Sequence, residues 1–127
     1  MFAMKKKIWI IDDYLPILDS IRIVLELNHY EVEIAQDELN ILDKNIKPDL
    51  LLIDYHIPGL DVDSIFKQVK NHSKLKSIPT ILMSGNIDIE HLATHCGADD
   101  FIAKPINFDK LLNKIAILCP TESQATV

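Results

Sequence analysis

The chain has 127 residues, 48% of them hydrophobic, and a formal net charge of -6 at pH 7. This length suits one compact domain with its own core and leaves no room for a second folded module, so a single domain over 1–120 and a loose tail over 121–127 are expected. The acidic balance argues against nonspecific binding to nucleic acid or anionic lipid, and no run approaches the ~18 apolar residues of a membrane span, so a soluble, cytoplasmic protein is expected.

Lys5-Lys6-Lys7 leads into the apolar run Ile8-Trp9-Ile10-Ile11, which Asp12 and Asp13 stop too early for a signal peptide. From Tyr14 to Leu27 the apolar residues Leu18, Ile21, Val24 and Leu25 recur at helical spacing, with Pro16 tolerated in the first turn. Asn28 and His29 end that helix, and Val32 to Ala35 predicts a short second strand. A weaker helix follows from Asp37 to about Asn45, with Leu39 and Leu42 inward. Lys47-Pro48-Asp49 breaks it, because proline disfavours helical geometry in the residue before it. The most apolar run, Leu50 to Ile53, comes next and ends on Asp54. Ile57-Pro58-Gly59-Leu60 reads as a turn, with Asp61 or Ser64 capping a helix that turns Ile65, Phe66 and Val69 inward. Asn71 to Pro79 reads as a solvated loop, Thr80 to Met83 as a strand ending on Ser84, and Ile87 to Cys96 as a helix stopped by Gly97. Phe101-Ile102-Ala103 stops at Lys104, and Asn107 caps a last helix with Phe108, Leu111, Leu112, Ile115 and Leu118 on one side.

Five repeats of strand then helix predict a parallel sheet covered on both faces, a three-layer α/β/α domain. In open α/β sheets the working site lies beyond the carboxyl ends of the strands, and Asp12, Asp13, Asp54, Ser84 and Lys104 all fall there. Unit charges about 4 Å apart repel by about 4 kcal/mol at an effective dielectric near 20, so three clustered carboxylates call for a neutralising cation. Carboxylate oxygens without imidazole or thiolate select a hard ion, and an open site of this kind suits Mg²⁺, or Mn²⁺, better than caged Ca²⁺. Aspartates that merely end strands and cap helices are the ordinary alternative for any one of them alone. A cation beside a carboxylate, with an ammonium and a hydroxyl opposite, can stabilise a phosphoryl group in transfer, with Asp54 by position the nucleophile.

The motifs resemble the response-regulator receiver domains of two-component signalling. Ile11-Asp12-Asp13 is similar to that family's acidic pair, Asp54-Tyr55-His56-Ile57-Pro58-Gly59-Leu60-Asp61 to its phosphorylation loop, and Met83-Ser84-Gly85 to its hydroxyl followed by a small residue. Gly97-Ala98-Asp99-Asp100-Phe101-Ile102-Ala103-Lys104-Pro105 is similar almost letter for letter to its G-A-D-D-(Y/F)-(L/I)-x-K-P segment. The resemblance spans residues 7 to 118 and implies a CheY-like, flavodoxin-like doubly wound sheet of five parallel strands in the order 2-1-3-4-5.

It further implies that Asp54 accepts a phosphoryl group from a histidine kinase or histidine phosphotransfer protein. Asp13, Asp54 and the His56 backbone carbonyl would bind Mg²⁺, with Asp12 holding it through water. Lys104 and Ser84 would contact the phosphoryl oxygens, Phe101 would turn inward as Ser84 shifts, and the Lys104-Pro105 bond would be cis. Output would pass by protein contact through the face made by the helix over 87–96, the strand at 101–103 and the helix over 107–118. A second copy of the chain is a further partner that this reading admits, and separate substrate turnover is not expected. Val62 stands where the family often has glycine, and Gly85 where it often has alanine.

A constitutive binding module without phosphate switching is the competing reading, and loss of an acidic or lysine position would mark it; none is lost. A haloacid dehalogenase phosphatase needs aspartates two residues apart after the first strand, and an FMN carrier needs a hydroxyl-rich loop there. The chain has neither. His91 and His95 are four apart on one helix but lack a third ligand and read as solvated. Cys96 and Cys119 form neither a redox pair nor a zinc knuckle and read as buried or half-buried thiols. The direction of Trp9 in its strand is left open.

Overall fold

A computed structural model describes residues 5–12, 15–35, 47–57, 59 and 61–121. Five strands, β1 (Lys6–Ile11), β2 (Tyr30–Ala35), β3 (Leu50–Asp54), β4 (Thr80–Ser84) and β5 (Asp100–Ala103), form one sheet in the order β2-β1-β3-β4-β5. All four pairings are parallel. Among the described residues the connections carry helices α1 (Leu15–Leu27), α2 (Val62–Asn71), α3 (Ile89–Cys96) and α4 (Phe108–Leu118). The helix expected over 37–45 lies outside the described residues, as does the tail expected over 121–127 apart from its first residue.

Alternation along the strands builds two cores, because successive side chains point to opposite faces. Ile8, Ile10, Leu50, Leu52, Ile81 and Met83 meet Leu18, Ile21 and Leu25 of α1 and Leu111 and Ile115 of α4 on one face. Trp9, Ile11, Leu51, Ile53 and Leu82 meet Ile65, Phe66 and Val69 of α2 and Ala93 of α3 on the other. β3 is buried at every position, which is why it reads as an unbroken apolar run rather than an alternating one. The result is a three-layer, flavodoxin-like doubly wound fold, and Trp9 faces the layer of α2 and α3.

Local chemistry sets the helix ends. The Asp61 carboxylate accepts from the Asp63 N–H at 3.1 Å and caps α2, so Ser64 is not the cap. Asn107 Oδ1 accepts from the Lys110 N–H at 3.2 Å and caps α4. Gly97 ends α3 in the left-handed region at φ 83°, where a side chain would be strained. His29, at φ 70°, turns the chain out of α1 toward β2.

Three differences from the sequence expectation bear on what is buried. β2 starts at Tyr30, whose buried ring joins the core beneath α1, so alternation from Val32 onward understated it. α3 begins at Ile89, and Ile87 is fully exposed in the preceding turn. The stretch from Asn71 to Pro79 is only partly a solvated loop. Lys74 and Lys76 are exposed, but Leu75 and Ile78 plug the core at the foot of α2.

The amino end of the sheet is closed by two aspartates. Asp49 Oδ2 accepts from the Lys7 N–H at 2.8 Å, while the Asp49 N–H donates to the Lys7 carbonyl. Asp99 Oδ2 accepts from the Thr80 N–H at 2.8 Å and from its hydroxyl at 3.3 Å. Each carboxylate tops the start of a neighbouring strand and satisfies a backbone donor that the sheet leaves unpaired.

Candidate functional site

The register brings the carboxyl ends of the strands level: Ile11 is opposite Ile53, Asp54 opposite Met83, and Ser84 opposite Ala103. Asp12 therefore leaves β1 beside the end of β3, where Asp54 sits, and Lys104 leaves β5 beside the end of β4, where Ser84 sits. Asp12, Asp54 and Ser84 are buried. The Lys104-Pro105 peptide is cis.

Lys104 carries its ammonium from the sheet edge to the centre. Its Nζ lies 2.9 Å from Asp54 Oδ2 and 4.0 Å from Asp12 Oδ2. Two carboxylates with almost no solvent contact thus share one cation, and the Asp54 Oδ1 atom accepts from the His56 N–H at 3.2 Å. Burial strengthens these interactions because the surrounding medium screens them weakly. Among the described residues, two carboxylates gather around this one ammonium. A cluster of hard oxygen donors has the chemistry that suits a small divalent cation, so these residues fit one.

Asp13 lies outside the described residues, so the expected acidic trio is represented by Asp12 and Asp54. Among the described residues no group of three His, Cys, Asp or Glu side chains is gathered for a metal. His91 and His95 are exposed on α3, as solvated helix histidines are.

Ser84 ends β4 with its hydroxyl oxygen accepting from the Asn86 N–H at 3.0 Å, and Asn86 Oδ1 in turn accepts from the Asp88 N–H at 2.8 Å. The Ser84 carbonyl accepts from the Lys104 N–H at 2.9 Å, which ties the serine to the lysine through the backbone. A methyl group at Gly85 would meet Lys104 Cβ at 3.9 Å, an ordinary contact, so this glycine is not sterically required. Val62 is buried in the core at the start of α2 and adds packing where glycine would add none.

Phe101 is half-buried on β5, packed against the layer of α2 and α3, and the Lys114 ammonium lies 5.1 Å from its ring centre. The Tyr55 ring meets the His56 ring edge-on, with centroids 4.9 Å apart. Partial burial, followed by the nearby negative charge of Asp63, raises the Tyr55 phenol above its ordinary range.

Sequence reading missed the contacts made by side chains on facing elements. Cys96 donates its thiol hydrogen to Asp63 Oδ1 at 3.1 Å, stapling α3 to α2. Burial, then that bond and the charges of Asp63 and Asp61, push the thiol up to about 12. Both cysteines are free thiols, Cys119 buried and Cys96 half-buried. Lys114 pairs with Asp100 at 2.9 Å. The partners are 33 and 14 residues apart, and no local motif marks either pair.

A doubly wound parallel sheet with buried carboxylates and a lysine at its carboxyl edge defines a class of acidic-pocket α/β domains. Residues 8–116 match the response regulator receiver domain family, and the chain belongs to it: it is a receiver domain of two-component signalling. It is 29% identical over 117 residues to the response regulator MprA of Mycobacterium sp. (strain KMS), covering 91% of this chain and 51% of MprA. The chain therefore spans about half the length of such curated relatives. It is similar to a structure of a response regulator from Chloroflexus aurantiacus, at 28% identity and TM-score 0.82, covering 91% of this chain and 98% of that one. The receiver domain of sensor histidine kinase PA1611 from Pseudomonas aeruginosa, solved with a magnesium ion coordinated in its active-site cleft, shares the fold. Identity there is 21% and TM-score 0.80, over 91% of this chain and 98% of that one. No described helix is long and apolar enough to cross a membrane.

Proposed function

We propose that this receiver domain is a phosphoacceptor switch that takes a phosphoryl group onto Asp54. The observation that carries the reading is the shared ammonium: Lys104 holds Asp54 at 2.9 Å at the centre of the strand ends, with Asp12 beside it. The donor would be the phosphoimidazole of a histidine kinase or histidine phosphotransfer protein. An Asp54 carboxylate oxygen attacks phosphorus in line, the phosphorus–nitrogen bond breaks as the phosphorus–oxygen bond of the acyl phosphate forms, and the departing imidazole nitrogen takes a proton from solvent.

Each neighbour has a task in that step. Lys104 exchanges its carboxylate contact for the incoming phosphoryl oxygens, whose charge grows at the acceptor. The Ser84 hydroxyl can donate its hydrogen to a phosphoryl oxygen, since the Asn86 N–H occupies only an acceptor lone pair of its oxygen. The His56 N–H steadies the acceptor carboxylate. Asp12, Asp13, Asp54 and the His56 backbone carbonyl would hold Mg²⁺, or Mn²⁺, which would supply positive charge to offset the phosphoryl oxygens. Phe101 is the aromatic whose turn inward follows the movement of Ser84, and the face formed by α3, β5 and α4 would carry the signal to a downstream protein or to a second copy of the chain. A single domain over 1–120 and a cytoplasmic setting complete the reading.

The test is direct. Incubated with acetyl phosphate and Mg²⁺, the chain gains one phosphoryl group by intact mass, acid-stable and base-labile, and Asp54→Asn does not. Equal labelling of the two proteins would refute the assignment.

A further inference from the structure

Among the described residues β5 is an edge strand, paired to β4 on one side. Alternate N–H groups along a strand point the same way, and the Lys104 N–H points inward to the Ser84 carbonyl on β4. The N–H groups of Phe101 and Ala103 therefore point outward along the open edge. That edge runs beside an open groove of about 500 Å³ whose walls include Phe101, Ala103, Asn107 and Asn113 and the ammonium-bearing Lys110 and Lys114. Among the described residues no carboxylate is part of the groove's lining, although Asp100 pairs with Lys114 of its wall and the chain as a whole carries a net charge of -6.

The edge is covered by the chain's own side chains. Asp100 Oδ1 accepts from the outward Phe101 N–H at 2.7 Å, standing where a sixth strand would place a carbonyl. Lys114 holds the same oxygen at 2.9 Å. Lys114 comes from α4, on the Ile102 face of the sheet, while the ring of Phe101 belongs to the opposite core; an ammonium 5.1 Å from that ring has crossed the edge. Unpaired edges are templates for added strands, and charged side chains laid across them are the usual guard. Here the guard is one ion pair, and both partners are about 30% exposed, at 30% and 28%.

We propose that the β5 edge is a docking strip for an extended acidic segment of a partner protein, which adds as a sixth strand by displacing Asp100 from the Phe101 N–H. A carbonyl of the segment takes that N–H, a second takes the Ala103 N–H, and a carboxylate on the groove side replaces Asp100 on Lys114 with Lys110 beside it. Charge complementarity selects the occupant, since two ammonium groups and two carboxamides line the groove. The inference rests on the reading of this face as the output surface and adds the occupant and its mode; it does not need Asp54 to be phosphorylated.

The experiment titrates the isotope-labelled full chain with millimolar alternating valine–glutamate hexapeptide, and separately with the valine–lysine hexapeptide, with and without acetyl phosphate. The glutamate peptide is expected to shift the Phe101 and Ala103 amide resonances and slow their hydrogen exchange, and the lysine peptide is not. Asp100→Asn keeps an acceptor for the Phe101 N–H but weakens the guard, and should tighten the glutamate peptide about threefold. Lys114→Glu should abolish the preference for the acidic peptide.

Equal effects of the two peptides, shifts confined to α3 and α4 without amide protection, or no shift in either phosphorylation state would each overturn the proposal. If the phosphoryl reading alone is wrong, acetyl phosphate changes nothing while the glutamate peptide still protects both amides.

Discussion

The two ends of the sheet use the same residue type in opposite ways. At the amino end, Asp49 and Asp99 are satisfied by backbone N–H groups that cannot move without unravelling a strand. At the carboxyl end, one Asp54 oxygen accepts from the His56 N–H, but its other oxygen and Asp12 share an ammonium that arrives on a flexible side chain, 50 residues from Asp54 in sequence. A carboxylate held by the N–H groups of a strand is fixed in place. One held by a lysine can exchange that lysine for another partner, which is what a site that accepts a phosphoryl group and a cation requires. On the proposed function, the exchangeable lysine contact, rather than burial alone, would distinguish the acceptor aspartate from the aspartates that close the sheet.

The sharpest way to break that contrast is to remove the exchangeable donor. Lys104→Met takes the shared ammonium away from two buried carboxylates, and the expected loss is about 3 kcal/mol in urea denaturation at neutral pH with a chelator present. Combining it with Asp54→Asn should recover a substantial part of the loss, since the remaining carboxylate no longer faces a like charge. A Lys104→Met protein as stable as the original would mean that the pair is balanced by something other than this lysine.

At the opposite end the effect should be smaller and of a different kind. Asp99→Ala strands the Thr80 N–H and hydroxyl at a buried position, at a cost of about 1 to 2 kcal/mol, and leaves acetyl phosphate labelling unchanged. Slowed labelling in this variant would show that the amino end communicates with the site and would blur the distinction.

The smallest effect concerns the Cys96–Asp63 staple, which lies between the two ends. The folded thiol is pushed up to about 12, against 9.0 without the fold, so the folded state holds its proton over a range in which the unfolded chain has released it. Its contribution is therefore complete below pH 9 and is lost as the pH rises toward 12. The stability difference between the original protein and Cys96→Ala, followed by urea midpoints from pH 8 to 11, should be flat at first and then shrink. At pH 8 the thiol should react slowly with iodoacetamide, and Asp63→Asn should speed it. Rapid alkylation of the unmodified protein would contradict the buried, hydrogen-bonded thiol.

Much of this was legible in the sequence because it is local. Strand β3 declares itself as a solid apolar run, the caps at Asp61 and Asn107 lie within three residues of the donors they serve, and Gly97 marks the end of α3. The convergence of Asp12, Asp54, Ser84 and Lys104 followed from one rule about where parallel strands end. The remainder depends on which faces meet. Leu75 and Ile78 sit in a polar stretch whose period says loop, yet tertiary packing draws both into the core. Asp100 with Lys114, and Cys96 with Asp63, join elements whose separation carries no signature. Asp49 and Asp99 look like any aspartate before a strand until the neighbouring strand's N–H is placed beside them.

The central claim is that Asp54 itself carries the phosphoryl group, and reductive trapping tests it without relying on a variant. The chain is phosphorylated with acetyl phosphate and Mg²⁺, treated with borohydride, which reduces an acyl phosphate to an alcohol, and sequenced by peptide mass spectrometry. Homoserine in place of aspartate at position 54, absent when acetyl phosphate is omitted, is the predicted result. Reduction at Asp12 or Asp13 instead, or none at any aspartate while the phosphoryl mass is present, would contradict the account.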